Sequence, residues 1–227
     1  MIARTSARTA AREARTEAAL VVAIDLGLYA ALAIVDRAKG WGIIDLPWWA
    51  WLIVASPALL LLFLLLVVPL AELSPGRVRN AGIVLLGLLA FSDVVAVGVL
   101  LYALTGADAG SLSAGDLLAH GIVVWLTNII TFGLQFWQLD EGGPQQRAER
   151  DRSDPDFEFP QDATPRPDWA PRLGDYLYVA LTNAIAVSPT DTMPLSRRAK
   201  ALMAVASLIS YAVVILVVAR AVNVLGS

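Results

Sequence analysis

The sequence predicts an all-α, polytopic transmembrane helix bundle, with five spanning helices plus one short re-entrant or interfacial helix. Three observations predict it. Of the 227 residues, 57% are hydrophobic and only 16% charged, against about 45–50% and about 25% in soluble domains. The apolar residues are gathered in blocks. Five blocks, near 18–36, 48–71, 81–104, 117–138 and 201–224, reach the roughly 20 residues that a helix needs to cross about 30 Å of hydrocarbon.

The chain opens with a basic segment, 1–17, of drifting Ala-Arg-Thr repeats. Arg4, Arg8 and Arg12 recur every fourth residue, so a helix would align them on one face. Two readings stand, a basic amphipathic helix on an anionic leaflet and a flexible tail that only sets topology. The apolar run that follows contains Asp25 and lacks a small-residue cleavage site, which argues against a cleaved signal peptide. Asp25, about two turns into the first span, is expected to snorkel.

The region 18–138 holds four of the spans. Trp41, Trp48, Trp49 and Trp51 gather at the start of the second, where indoles favour the membrane interface. Pro57 should kink that span by removing one backbone bond. Asp93 falls near the middle of the third and is the most informative residue. An ionised carboxylate there costs at least about 2.5–3.5 kcal/mol, so it must face the bundle interior, find a partner or keep its proton. The functional reading is an ion or proton site; the structural one is a carboxyl that staples helices. In the fourth span, Asn128, Thr131 and Gln135 lie three and four residues apart, on one helix face, with Thr127 beside them. Such stripes join helices or line a wet pathway.

Residues 139–174 form a polar linker rich in Asp, Glu, Arg and Pro. Pro160, Pro165, Pro167 and Pro171 oppose helix there, and Phe157, Phe159 and Trp169 are candidate anchors to the membrane or the bundle. The last unit, 175–227, begins with an apolar stretch, 175–189, too short to span comfortably. A helix break is expected around Ser188-Pro189, then a polar turn with Asp191, then the final span with Ser207 and Ser210 at helical spacing. Leu126-Thr127-Asn128 is echoed by Leu181-Thr182-Asn183, and the two amides are expected to face each other if the echo is meaningful.

Arginine and lysine set orientation. With a cytoplasmic N-terminus and five spans, all of the 17 basic residues except Arg37, Lys39 and Arg220 fall on the cytoplasmic side. The chain is therefore expected in a bacterial plasma membrane, its C-terminus outside, with 175–189 entering from the cytoplasm. Alanine- and arginine-rich usage suggests the bacterial origin.

Several function classes lose support. A net charge of −3 gives no footprint for nucleic acid. With no cysteine and a single histidine, His120, thiolate sites and histidine clusters are out of reach. No His-Glu-x-x-His, nucleophile elbow or phosphate loop occurs, so an enzyme is the least supported class. Asp140, Glu141, Asp175 and Asp191 offer oxygens to a hard cation, but at no familiar spacing. No catalytic residue, metal or cofactor is assigned.

The run Phe132-Gly133-Leu134-Gln135-Phe136-Trp137-Gln138-Leu139-Asp140-Glu141-Gly142-Gly143-Pro144, the segment from Asp175-Tyr176-Leu177-Tyr178 through Ser188-Pro189-Thr190-Asp191-Thr192 to Arg197-Arg198, and Ala219-Arg220-Ala221-Val222-Asn223 together resemble a bacterial integral-membrane family of undetermined activity. The likeness covers roughly 120–226. The same half distantly resembles the pore helix, filter and inner helix of potassium channels. The glycine filter is missing, since Thr182 is followed by Asn183-Ala184-Ile185-Ala186-Val187. Without Thr-Val-Gly-Tyr-Gly carbonyls, a potassium filter of that design is not built.

The resemblance implies channel-like ion permeation. One hairpin per chain cannot enclose a pore, so this reading needs a symmetric homo-oligomer, of about four subunits. Its candidate residues are Asp93, Asn128, Thr131, Gln135, Thr182, Asn183 and Asp191. The alternative is a non-conducting scaffold or sensor that binds a cytoplasmic protein through 139–174. The lipid bilayer is a partner in both.

Overall fold

The computed structural model describes residues 2–39, 47–67, 75–105, 114–147, 155–163, 169–185 and 191–225. Trp41, the expected break at Ser188-Pro189 and the side chains of Arg4, Arg8, Arg12 and Arg220 lie outside the described residues. The elements are almost all helical, and four of them are long and apolar enough to cross a membrane, covering Ala14–Ala38, Asn80–Tyr102, Gly115–Gly142 and Arg197–Ala219. This is the pattern of a multi-pass membrane protein.

Helix α1 runs unbroken over Ile2–Lys39, about 57 Å at 1.5 Å per residue. The basic segment therefore continues the first span as one helix. The expected second span is in two pieces, α2 (Ala50–Val54) and α3 (Ser56–Val67), meeting at Ala55. The cause is Pro57, which has no N–H to offer the Ile53 carbonyl. Together the pieces hold fewer residues than an uninterrupted crossing needs.

Helix α4 covers Pro75–Thr105 and α5 covers Ala114–Leu139. The end of α5 is fixed by three residues at positive φ, Glu141 (54°), Gly142 (82°) and Gly143 (104°), a left-handed run that ends the α-helix. A short α6 (Pro144–Arg147), strand β1 (Phe157–Glu158) and α7 (Pro160–Ala163) follow. Then come α8 (Leu173–Ile185), strand β2 (Met193–Pro194) and α9 (Arg197–Leu225). β1 and β2 pair antiparallel, Phe157 opposite Pro194.

Helix α5 is the hub, packed against α1, α4, α8 and α9. Its neighbours fix directions. Tyr29 meets Thr127 and Asp36 meets His120, so α1 is antiparallel to α5. Gln135 reaches the Leu86 carbonyl and Asn128 the Ala206 carbonyl, with Gly121 against Val213 and Val217, so α4 and α9 are antiparallel to α5 as well. Arg15 donates to the Leu65 carbonyl, which sets α3 against α1. Helices α5 and α8 approach closely at Gly133, where a Cβ would fall 2.6 Å from Leu177 Cδ2 and 3.1 Å from its Cα.

The described part of the linker is folded onto the bundle. Phe157 and Phe159 are buried. Phe157 packs on Phe136 and Tyr176, and Phe159 packs on Tyr176 and Trp169, at ring-centroid distances of 5.2–6.2 Å. The aromatic anchors thus hold the bundle rather than the lipid.

Candidate functional site

Buried polar side chains of α1 and α4 gather along α5 between Asp116 and Thr131. The periodicity of two helices makes this column. On α5, Asp116, His120, Thr127 and Thr131 are four, seven and four residues apart. On α1, Asp25, Tyr29 and Asp36 are four and seven apart. Both sets lie on one stripe of a 3.6-residue helix, and the antiparallel packing brings the stripes together.

At mid-depth, Asp93 on α4 is 1% exposed and Asp25 on α1 is 2% exposed. Tyr29 donates from its hydroxyl to Asp93 Oδ1 at 3.1 Å. The Thr127 hydroxyl lies 3.3 Å from the same phenol oxygen and donates to the Val124 carbonyl at 3.0 Å. Thr131 completes the surroundings of Asp93. Asp25 is within electrostatic range of Asp93, yet among the described residues neither of its carboxyl oxygens has a hydrogen-bond partner. The expected snorkelling of Asp25 is therefore corrected. Asp25 lies close to the middle of Ala14–Ala38, on the face that α1 turns inward with Val22, Tyr29 and Ala33, so other helices rather than lipid cover it.

One end of the column holds Asp36 and His120, both buried. His120 Nε2 lies 3.0 Å from Asp36 Oδ1, and Nδ1 lies 2.7 Å from the Asp116 carbonyl oxygen. A carbonyl only accepts, so Nδ1 carries a hydrogen and one proton is shared between Nε2 and Asp36. Trp51 donates its indole N–H to Asp36 Oδ2 at 2.6 Å. Its ring lies 5.7 Å from the His120 ring centroid and 6.3 Å from that of Tyr29.

A separate polar cluster at the C-terminal end of α5 is built on Asp140, fully buried. Its Oδ1 accepts from the backbone N–H of Asp156 at 2.8 Å and of Phe157 at 3.3 Å, and its Oδ2 from the Tyr176 hydroxyl at 2.5 Å. Arg147 donates to the Trp137 and Asp140 carbonyls and lies over the Tyr176 ring. Arg198 grips Asp156 with two bonds, of 2.7 and 2.6 Å. Asp140 thus organises the chain's own backbone, and Asp175 caps the N–H of Arg172 at 2.7 Å. Among the described residues no group of three or more His, Cys, Asp or Glu forms a metal site, so the carboxylates at 140, 141, 175 and 191 do not assemble.

The seven candidates separate. Asp93 and Thr131 sit in the central cluster. Gln135 donates to the Leu86 carbonyl at 3.0 Å, tying α5 to α4. Asn128 donates to Ser210 Oγ at 2.8 Å and to the Ala206 carbonyl at 3.3 Å. Asn183 donates to the Met203 carbonyl at 2.9 Å and accepts from Ser207 at 3.0 Å. The echoed asparagines do not face each other. Each clamps α9 through a carbonyl and a serine four residues further on, one clamp displaced three residues from the other. Thr182 bonds carbonyls of its own turn, Tyr178 and Val179, and Asp191 is exposed.

Sequence reasoning missed Tyr29, Trp51, Asp36 and His120 as parts of the column. The signal was present as the shared spacing of the polar residues on α1 and α5. Comparison with protein-family models, with curated proteins and with solved structures finds no match.

Proposed function

We propose that the chain moves protons across a bacterial plasma membrane, through the column inside one subunit. The observation that carries this is Asp25. A carboxyl at mid-membrane is costly, and a structural staple would recover that cost through hydrogen bonds. Asp25 has none among the described residues, and it is within electrostatic range of a second buried carboxyl, Asp93. Chains of Asp, Tyr and His are the groups that exchange protons at such depths. Asn128 and Asn183, two of the seven permeation candidates, are spent on α9 instead, which favours a path within the subunit. A small apolar recess lined by Leu100, Leu117, Gly121, Val213, Leu216 and Val217 includes none of these polar residues.

The topology that goes with this reading has five crossings, with α2 and α3 together as the second, and α8 as a re-entrant helix. Support comes from the Asp140–Asp156–Arg198 links, which bring the end of α5 and the start of α9 to the same side. Further support is the contact of Asn183 with Met203 and Ser207, about 9–15 Å along α9 from its start. The arginine distribution assigns the Asp140 end to the cytoplasm. The short helix followed by a long one retains the pore-module outline, without its filter. A scaffold that binds a partner through 139–174 is less favoured, because the described linker aromatics face inward.

The test is proton uptake into liposomes holding the purified protein, driven by a potassium diffusion potential. Wild type should take up protons, and Asp93→Asn and Asp25→Asn, each still helical and monodisperse, should lose at least about tenfold of the rate, as expected when one member of a proton relay is removed. Folded wild-type protein that passes no protons would remove this function.

A further inference from the structure

Two buried carboxyls within electrostatic range of each other need positive charge, and the described bundle supplies none. Asp25 and Asp93 form that pair, and among the described residues no arginine or lysine is bonded to either. Arg15 reaches the Leu65 carbonyl, Arg37 lies over the Trp48 ring, and Arg147 and Arg198 serve the Asp140 cluster. Helices α2 and α3 carry no ionisable residue. The described basic residues of α9, Arg197, Arg198 and Lys200, stand at its start, and from α8 Tyr176 is committed to Asp140. From α5 come only Asp116 and His120. His120 is bonded to Asp36, about 16 Å along α1 from Asp25. Neutrality at the pair therefore comes from protons or from a bound cation.

Resting on the proton reading, we propose that the Asp25–Asp93 pair also binds a sodium ion, taken up in exchange for a proton. The donor set carries this. Among the described residues both carboxyl oxygens of Asp25, and Oδ2 of Asp93, have no hydrogen-bond partner. Tyr29 gives its single hydrogen to Asp93, and Thr127 gives its own to the Val124 carbonyl, so both hydroxyl oxygens keep lone pairs. Asp25 and Tyr29 are one turn apart on the inward face of α1, which makes the unpartnered carboxyl a neighbour of the residue that bonds Asp93. A proton relay needs donors set against acceptors. The surplus here is of oxygen acceptors alone, which is what a hard cation takes. A divalent ion is held by more carboxylates and more oxygens than these, and no group of three His, Cys, Asp or Glu occurs among the described residues. Two carboxyls and two hydroxyls suit a small monovalent ion. One sodium ion entering as one proton leaves keeps the buried charge constant, so the pair never stands as two bare carboxylates.

Equilibrium binding of radioactive sodium to the purified full chain in detergent tests the site without any flux. Wild type should bind sodium saturably, and unlabelled sodium should displace it better than potassium, choline or calcium does. Asp25→Asn and Asp93→Asn, each still helical and monodisperse, should lose at least about tenfold in affinity, the loss expected when one charged contact is removed. Asp175→Asn, which alters a carboxylate that caps the Arg172 N–H, should bind as wild type does. In liposomes loaded with sodium and diluted into choline, wild type should acidify the interior as sodium leaves, and Asp25→Asn should not. Absence of saturable sodium binding by folded wild type, affinity unchanged in both aspartate variants, or stronger displacement by calcium than by sodium would overturn the site. Proton uptake along a potassium diffusion potential, measured without sodium, reports the conduction reading separately. Binding that depends on Asp25 in a protein that passes no protons would refute conduction and leave the sodium site standing. Proton uptake with no sodium binding would do the reverse.

Discussion

Asp25 and Asp93 are adjacent carboxyls with opposite structural standing, and substitution separates them. Asp93 accepts from Tyr29, so Asp93→Leu removes that acceptor, leaves the buried phenol only its longer contact with Thr127, and should destabilise by about 1–3 kcal/mol. Asp25 gives up no hydrogen bond. Asp25→Leu should therefore raise thermal stability in detergent, by up to about 2.5–3.5 kcal/mol, while proton uptake is lost. Stability gained as function is lost is the mark of a group held for its chemistry. A lower melting temperature for Asp25→Leu would assign it a structural role instead. Asp93 was legible in the sequence because a charge at the middle of an apolar run has no bland explanation. Asp25 and Asp36 were harder to read, since a carboxylate near an assumed helix end can always be given to the interface. Their burial depends on where the helix starts and on which neighbour covers that face, and neither is written in local hydropathy.

Among the elements, α5 and α9 are joined by bonds that no single-helix pattern reveals. The stripe of Asn128, Thr131 and Gln135 was visible as a stripe, but its three members serve three neighbours, α9, the central cluster and α4. A period of 3.6 says which residues share a face and leaves open what that face meets. Four spans were legible to within a few residues, because a long apolar run is itself the physical requirement for crossing. The division of the second into α2 and α3 was only partly so. Pro57 announced a kink, while the separate task of α2 emerges from Trp51. The α9 clamps carry a prediction of their own. Asn128→Ala and Ser210→Ala should each cost about 0.6–1.7 kcal/mol, and the double variant less than their sum, because the two side chains share one bond. Additive losses, measured by unfolding in mixed micelles, would show that the bond adds nothing to the helix contact.

For the molecule as a whole, direction follows from the cap at the Asp140 end. Asp140 binds the backbone of Asp156 and Phe157, Asp156 binds Arg198, and β1 pairs with β2. The exit of α5 and the entry of α9 are thereby fastened on one side, whatever α8 does between them. Among the described residues Arg147 and Arg198 share that side, and under the proposed orientation that side is the cytoplasm. Because the chain has no cysteine, single introduced thiols report sidedness without background. Met193→Cys, exposed beside the cap, should be shielded in intact cells from a membrane-impermeant maleimide and become labelled once the cells are opened. Trp49→Cys, exposed two residues before Trp51, should be labelled in intact cells. The reverse pattern would place Asp36 and His120 on the cytoplasmic side. Labelling of both thiols in intact cells would break the alternation of helix directions on which the transmembrane column depends.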